Sequence, residues 1–130
     1  MRILLTGSNG FIGRRVTLDA LARGWQVVGV GRRTVAAGPV TRYVRHDLAE
    51  PLDLDEDVDA VINAAGLATP WAPPVDYHRC NVAGTAHVIA WAQRNGRPPL
   101  HYVSSSSVFY RDEDQTGLTE ASPIPPDAEQ

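Results

Sequence analysis

The fold is decided by the stretch Thr6-Gly7-Ser8-Asn9-Gly10-Phe11-Ile12-Gly13. It follows the apolar run Ile3-Leu4-Leu5, which is typical of a strand buried on both faces, and it opens a segment with helical spacing of apolar residues. Glycines at this spacing allow a sharp turn and a close approach of the backbone to a phosphate, which free N–H groups at the start of a helix can bind. The stretch therefore predicts a nucleotide-binding loop, with an incidental tight turn as the alternative.

Short apolar runs alternate with helical segments along the rest of the chain, which is the pattern of a parallel α/β sheet. We predict a doubly wound Rossmann sheet with strand order 3-2-1-4-5 and a dinucleotide at the switch point between strands 1 and 4. The predicted strands are residues 3–5, 27–30, 42–45, 60–62 and 100–103, and the predicted helices are residues 11–23 and 75–94.

The helices should bury one apolar stripe each, and the connecting segments should be solvated. The acidic crossover 49–58 is expected to face water, with room for one helical turn, and residues 111–130 to form an irregular tail of a single domain, 1–130. The expected stripes are Ile12, Val16 and Ala20 in the first helix and Val82, Ala86, Ile89 and Ala90 in the second.

Composition favours a globular, cytoplasmic protein without a membrane segment, a disulfide or a metal site. Apolar residues make up 43% and charged residues 21% of the 130 positions, and no apolar run approaches the roughly 18 residues of a membrane helix. Cys80, the single cysteine, is expected as a small buried residue, and the four histidines have no metal-ligand spacing.

Charge is divided unevenly along the chain, and every basic residue is an arginine. Residues 1–45 carry a net charge of +7 and residues 46–130 a net charge of −10. The arginines are scattered through a βαβ pattern without a basic run, so a small ligand with phosphates explains them at least as well as nucleic acid. We expect no nucleic-acid partner.

Five motifs in order resemble those of the extended short-chain dehydrogenase/reductase family, the NAD(P)-dependent epimerases and dehydratases. The first is the glycine-rich stretch quoted above, and the resemblance covers essentially the whole chain. The other four are Asp47-Leu48, Asn63-Ala64-Ala65-Gly66, Asn81-Val82-Ala83-Gly84-Thr85 and the segment Val103 to Tyr110. The resemblance implies hydride transfer at a carbinol or carbonyl carbon, with a nucleotide sugar as the commonest class of substrate in the family.

The resemblance also implies roles for individual residues. The catalytic hydroxyl falls on Ser105, with Ser106 as the fallback, where it would position the substrate oxygen. Asn81 is expected to brace the backbone more than to bind cofactor. The implied cofactor-binding residues are Thr6, Gly7, Asn9, Gly10, Phe11, Ile12, Gly13, Asp47, Leu48, Ala64, Ala65, Gly66 and Asn81.

The family's catalytic Tyr-x-x-x-Lys motif is missing, since these 130 residues contain no lysine. Thr119-Glu120-Ala121-Ser122-Pro123 resembles the stretch that the family places just before that motif. The chain is therefore expected to be the N-terminal cofactor-binding portion of such an enzyme and to be inactive as given. Two alternatives are a non-catalytic dinucleotide-binding sensor or regulator, and a chain that completes its sheet with a partner subunit or a second copy.

The end of the second strand indicates which cofactor is preferred. An NAD-binding fold places an acid there for the ribose 2′-hydroxyl, but this chain has Gly31-Arg32-Arg33 and no acid between Asp19 and Asp47. Arginine can pair with a 2′-phosphate, so we expect NADP rather than NAD, with Arg32 first and Arg33 second. The alternative is that both arginines are solvated loop residues.

Overall fold

A computed structural model of the chain describes residues 1–125. Within that part, one parallel sheet has the predicted order β3-β2-β1-β4-β5. Every predicted strand is confirmed, with ends that differ by at most one residue. The strands are β1 Arg2–Thr6, β2 Gln26–Gly31, β3 Arg42–Arg45, β4 Ala60–Asn63 and β5 Leu100–Tyr102.

Strand β1 is central because its residues are apolar on both faces. Leu4 pairs with Val28 of β2 on one side and with Val61 of β4 on the other, and all three are fully buried. Two core clusters result, one on each face of the sheet. Strand β5 is an edge strand, as expected from the strand order.

Helix α1, Phe11–Ala22, ends before Gly24, whose φ of +73° suits glycine. Its buried residues are Gly13, Thr17 and Ala20, whereas Ile12 is 48% exposed, so the expected stripe is wrong at Ile12. The helix turns this face inward because it approaches the glycine-rich loop at Gly13. The buried Thr17 hydroxyl is satisfied there by donating to the Gly13 carbonyl at 2.8 Å.

The second predicted helix is a continuous helical run whose middle turn is π-helical. Helix α2, Pro74–Tyr77, is followed by the π-helix His78–Ala83 and then by helix α3, Gly84–Arg94. A π-turn holds more residues than an α-turn, and apolar periodicity does not predict one.

Helix α3 turns a different face to the sheet from the one expected. Gly84, Val88, Trp91 and Ala92 are buried, while Val82, Ala86 and Ile89 are exposed. Both faces have apolar residues at helical spacing. The observed face is favoured because it buries the large indole of Trp91, and because Gly84 lets the helix approach Leu48 closely.

The crossover between β3 and β4 has one hydrogen-bonded turn, from Asp47 to Glu50, and no helical turn between residues 46 and 59. Its chain is extended, so alternate residues point inward. The expectation that all its acids face water is wrong for Glu56, which is 6% exposed. Glu56 forms ion pairs with Arg2 and, at 2.5 Å, with Arg42, and this pairing makes its burial possible.

Three side chains of α3 hold this crossover against the sheet. Trp91 Nε1 donates to the Leu54 carbonyl at 2.9 Å, and Arg94 donates to the Leu52 carbonyl at 3.1 Å. His87 Nδ1 lies 2.8 Å from the carbonyl oxygen of Leu48. No helix within residues 1–125 is long and apolar enough to cross a membrane.

After β5, a 3₁₀-helix covers Ser106–Phe109. Residues 111–125 form neither a helix nor a strand, and the last five residues of the predicted tail lie outside the described part of the chain.

Candidate functional site

Side-chain hydrogen bonds join the carboxyl ends of β1 and β4. The Thr6 hydroxyl donates to Asn63 Oδ1 and accepts from the Ala65 N–H at 3.2 Å. Asn63 Nδ2 in turn donates to the Thr85 hydroxyl of α3 at 3.2 Å. These bonds hold the ends of the two central strands and one helix together. At this point the connections after β1 and β4 lead to opposite sides of the sheet, and ligands bind at such switch points in doubly wound folds.

The glycine-rich loop crosses this edge of the sheet with no room for a Cβ at Gly7 or Gly13. Gly7 has a φ of +67°, and a Cβ there would lie 2.7 Å from the Ala64 carbonyl oxygen. A Cβ on Gly13 would lie 2.1 Å from the Gly7 carbonyl oxygen. Gly10 stands at the N-terminus of α1 and has no side chain to cap the first N–H groups of the helix. Those N–H groups are therefore available to an anion.

A cavity of about 290 Å³ opens beside this loop, at the carboxyl ends of β1, β2, β3 and β4. Most of the predicted cofactor-binding residues meet in its wall, although they come from four separate parts of the sequence. Those lining it are Gly7, Asn9, Gly10, Arg32, Arg33, Asp47, Leu48, Ala64, Ala65 and Gly66. This size lies near the lower end of the range for ligand pockets.

Arg32 and Arg33 stand at the end of the cavity formed by β2, and both are exposed. No carboxylate follows β2 in the sequence before Asp47, which lies across the cavity after β3. The β2 end of the cavity is therefore positively charged.

Hydrogen bonds and an ion pair hold the turn at Asp47 and Leu48 in place. Asp47 Oδ1 accepts from the Ala49 N–H at 3.1 Å, and Arg79 lies 3.8 Å from its carboxylate. His87 contacts the Leu48 carbonyl from α3. The turn is thus a fixed wall of the cavity.

Five predicted cofactor residues do not line the cavity: Thr6, Phe11, Ile12, Gly13 and Asn81. Thr6 and Gly13 are buried beneath the loop, while the side chains of Phe11 and Ile12 are 95% and 48% exposed and lie outside the cavity wall. Asn81 Oδ1 accepts from the Leu67 N–H at 2.7 Å, and its Nδ2 donates to the Leu67 carbonyl at 3.1 Å. Asn81 therefore braces the loop after β4, and its role towards a cofactor stays a prediction.

Ser105 and Ser106 lie beyond the carboxyl end of β5, on the same edge of the sheet but outside the cavity wall. Ser105 is exposed, and its Oγ accepts from the Ser107 N–H at 3.2 Å and from the Ser107 hydroxyl at 2.9 Å. The structure thus places the predicted hydroxyl at the same edge of the sheet as the cavity, and its catalytic role stays a prediction.

The sequence prediction missed several lining residues: Val30, Gly31, His46, Ala49, Leu67 and Cys80. His46 could have been found, because it follows β3 at the edge of the sheet where the other site residues meet. Cys80 is half-buried in the cavity wall rather than part of the core, since the π-helix sets its direction. Among residues 1–125, no three potential metal-ligating side chains come together.

A parallel doubly wound sheet with a glycine-lined cavity at its switch point defines a protein with the NAD-binding fold. The comparison with protein families gives the same class. The family model described as "NAD dependent epimerase/dehydratase family" matches residues 3–129, and the chain belongs to that family.

The relatives are enzymes of this family that are longer than the chain. A 2-alkyl-3-oxoalkanoate reductase from Stenotrophomonas maltophilia is 36% identical over 116 residues, which are 85% of this chain and 35% of the relative. The chain thus spans about a third of the length of the first curated relatives it matches.

Solved structures of longer proteins share the fold of this chain. A UDP-galactose 4-epimerase superposes with a TM-score of 0.86 at 27% identity, over 97% of this chain and 45% of that one. A short-chain dehydrogenase/reductase superfamily protein from Agrobacterium tumefaciens with bound NAD superposes with a TM-score of 0.83 at 27% identity, over 98% and 40%.

Proposed function

We propose that this chain binds NADP(H) and forms the cofactor-binding portion of an enzyme that transfers hydride at a carbinol or carbonyl carbon. The observation that carries the proposal is the cavity at the switch point, with glycines at one end and Arg32 and Arg33 at the other. The exposed N–H groups at the start of α1 suit a pyrophosphate, and the turn at Asp47 and Leu48 suits the adenine. When bound, the nicotinamide supplies or accepts the hydride.

The preference for NADP rests on the charge at the end of β2. A guanidinium can form two charge-assisted hydrogen bonds with a 2′-phosphate, whereas a 2′-hydroxyl would need an acceptor that β2 does not provide. Binding of NADPH and NADH to the chain, measured by calorimetry, tests this directly. We expect NADPH to bind at least about tenfold more tightly, and Arg32→Ala to remove most of that difference.

The matched control is Arg15→Ala, because Arg15 is exposed on α1 and pairs with Asp19 at 3.2 Å, away from the cavity. It should leave both affinities unchanged. Equal binding of NADPH and NADH by the unaltered chain would exclude the NADP preference, and failure of both to bind would exclude the cofactor site.

For the substrate, the relatives suggest two classes. The name of the Stenotrophomonas relative specifies a 3-oxoalkanoate, a carbonyl compound with a nearby carboxylate, whereas that of the epimerase specifies a nucleotide sugar. We propose the carbonyl compound as substrate, because the reductase has the higher identity. In either class the Ser105 hydroxyl would donate to the reacting oxygen, since Ser105 Oγ only accepts in both of its hydrogen bonds with Ser107.

A second candidate function is dinucleotide binding without catalysis. It is favoured by the position of Ser105 outside the cavity wall. The intact mass of the protein expressed from its own gene, compared with 14.1 kDa, is the first measurement. If the protein expressed from its own gene oxidises NADPH with a 2-alkyl-3-oxoalkanoate, the enzymatic function is supported. If it binds cofactor but turns over neither substrate class, the non-catalytic function is supported.

A further inference from the structure

The side chain of Asn9 joins the glycine-rich loop to the loop that follows β2. Its Oδ1 accepts from the Ala37 N–H at 2.7 Å, and its Nδ2 donates to the Val35 carbonyl at 3.2 Å and to the Tyr43 hydroxyl at 2.9 Å. Both polar atoms of Asn9 are therefore used within the protein. Asn9 lines the cavity, but both of its N–H donors are used and only one lone pair of Oδ1 is left for a cofactor.

Tyr43 completes this connection from β3. Its hydroxyl accepts from Asn9 and donates to the Arg33 carbonyl at 3.0 Å. The hydroxyl lies directly over the end of β2, where a Cβ on Gly31 would be only 3.0 Å from it. Tyr43 and Asn9 are half-buried, whereas Arg32 and Arg33 are exposed. The side chains of Tyr43 and Asn9 are thus held by hydrogen bonds, whereas the side chains of the two arginines extend into solvent.

An exposed arginine loses side-chain entropy when it binds a phosphate, and a mobile backbone beneath it would add to that cost. Holding the Arg33 carbonyl and the backbone at Val35 and Ala37 removes the backbone part of the cost in advance. The same hydrogen bonds fix the arginines relative to the glycine-rich loop. This spacing must match the distance between the pyrophosphate and the 2′-phosphate of one ligand.

We propose that Asn9 and Tyr43 are positioning residues that determine selectivity for NADP over NAD, by holding the arginine loop (residues 32–37) against the glycine-rich loop. This rests on the proposed NADP preference. Neither residue needs to touch the 2′-phosphate. Because NADH makes no 2′-phosphate contact, the arrangement strengthens NADPH binding and leaves NADH binding nearly unaffected.

The decisive variant is Tyr43→Phe, which removes one hydroxyl and keeps the ring. We expect the Kd for NADPH to rise about three- to tenfold while the Kd for NADH changes less than about twofold. Asn9→Ala should change the ratio of the two affinities in the same direction and by more. The matched control is Tyr77→Phe, since the Tyr77 hydroxyl donates to Thr69 in the loop after β4, outside the arginine loop.

A second readout needs no cofactor. The chain has no lysine, so trypsin cleaves it only after arginine, and Arg32 and Arg33 lie in the arginine loop itself. Loops that are less firmly held are cleaved faster. We expect Tyr43→Phe and Asn9→Ala to speed tryptic cleavage after these two arginines several-fold relative to cleavage after Arg94, and Tyr77→Phe to leave the ratio unchanged.

The outcomes separate this proposal from the one it rests on. If the unaltered chain prefers NADPH and Tyr43→Phe retains that preference and the slow cleavage, the positioning role is wrong and the NADP function stands. If Tyr43→Phe weakens NADPH and NADH equally, the residue is structural and the selectivity role is wrong. If the unaltered chain has no preference, both proposals fail, and faster cleavage would then show only that the loop is held.

Discussion

The three glycines of the loop differ in what a side chain at each would meet. At Gly7 and Gly13 a Cβ would be forced against backbone atoms, and Gly7 also has a positive φ. At Gly10 a Cβ would meet only the Gly7 carbonyl oxygen, at 3.2 Å, and the φ of −78° is open to any residue. Gly7 and Gly13 are therefore required by the fold, whereas a Cβ at Gly10 needs only a small shift of one carbonyl oxygen.

Gly10→Val should abolish cofactor binding without unfolding the chain. The side chain would project into the cavity where the pyrophosphate is proposed to lie, so we expect the Kd for NADPH to rise at least about 100-fold. Circular dichroism should show a thermal midpoint within about 5 °C of the unaltered chain. Retained NADPH binding would contradict the assignment of the loop.

Gly13→Ala is the matched comparison. Its Cβ would lie 2.1 Å from a carbonyl oxygen, so α1 would have to move away from β1. We expect a loss of about 3 kcal/mol or more in the free energy of unfolding, measured with urea.

Glu56 is the buried carboxylate that ties the crossover to β1 and β3. Glu56→Gln should lower the free energy of unfolding by about 1–3 kcal/mol, less than for a fully buried pair because Arg2 and Arg42 can be partly rehydrated. Asp57→Asn is the control, since Asp57 is exposed, and should change stability by about 0.5 kcal/mol or less. Equal effects of the two substitutions in urea unfolding would show that the ion pairs of Glu56 contribute nothing.

The contrast between Glu56 and its neighbours shows what the sequence could predict about single residues. Composition correctly indicated that the acidic run is mostly solvated, because isolated carboxylates stay in water. It gave no sign that one of them meets two arginines, since Arg2 and Arg42 approach only when β1 and β3 come together in the sheet. The hydrogen bonds of Asn9 were equally inaccessible to the sequence.

At the scale of whole elements, helix α3 fastens the crossover through Trp91, which is fully buried. Trp91→Phe would remove the N–H that bonds the Leu54 carbonyl and leave a small void, at a cost of about 2–3 kcal/mol in unfolding free energy. Ile89→Ala on the exposed face should cost about 0.5 kcal/mol or less in the same urea titration. The reverse order of effects would mean that the sequence-predicted face is the packed one.

The same helix shows the limit of periodicity. Two faces of the segment 84–94 are apolar at helical spacing, so the pattern fixes that a helix exists without fixing its rotation. The strands were easier to predict, because a strand buried on both faces is a continuous apolar run and the prediction does not have to decide which face is buried. The π-helix could not be predicted, since apolar periodicity carries no sign of its extra residue.

Across the whole molecule, the sheet brings the two oppositely charged halves of the chain together at the cavity. The arginines after β2 belong to the basic half, with its net charge of +7, and Asp47 belongs to the acidic half. The order of the strands, and hence this meeting point, could be predicted from the motifs. The width of the cavity and the distance of Ser105 from it could not, because they depend on loop conformations.

Salt should therefore weaken the binding of NADPH more than the binding of NADH. NADPH carries a further phosphate to the exposed arginines, whose attraction is screened by ions. Between roughly 0.05 and 0.5 M NaCl we expect the ratio of NADPH to NADH affinity to fall about three- to tenfold, measured by calorimetry. Parallel salt dependences would indicate that the arginines do not contact the cofactor.

The central position of β1 also has a consequence for how the chain folds. β1 is synthesised before the other strands, yet one of its two neighbours is β4. Ile3 can therefore pair with Ala60 only after the intervening residues have been synthesised. Closing such a long loop is slow, and contacts between distant residues lower folding rates. The glycine-rich loop rests on Ala64 just after β4, and its shape therefore cannot be completed while β4 is still inside the ribosome. The ligand site can thus form only after β4 has emerged, and a cofactor can stabilise only a chain in which β1 and β4 have already paired.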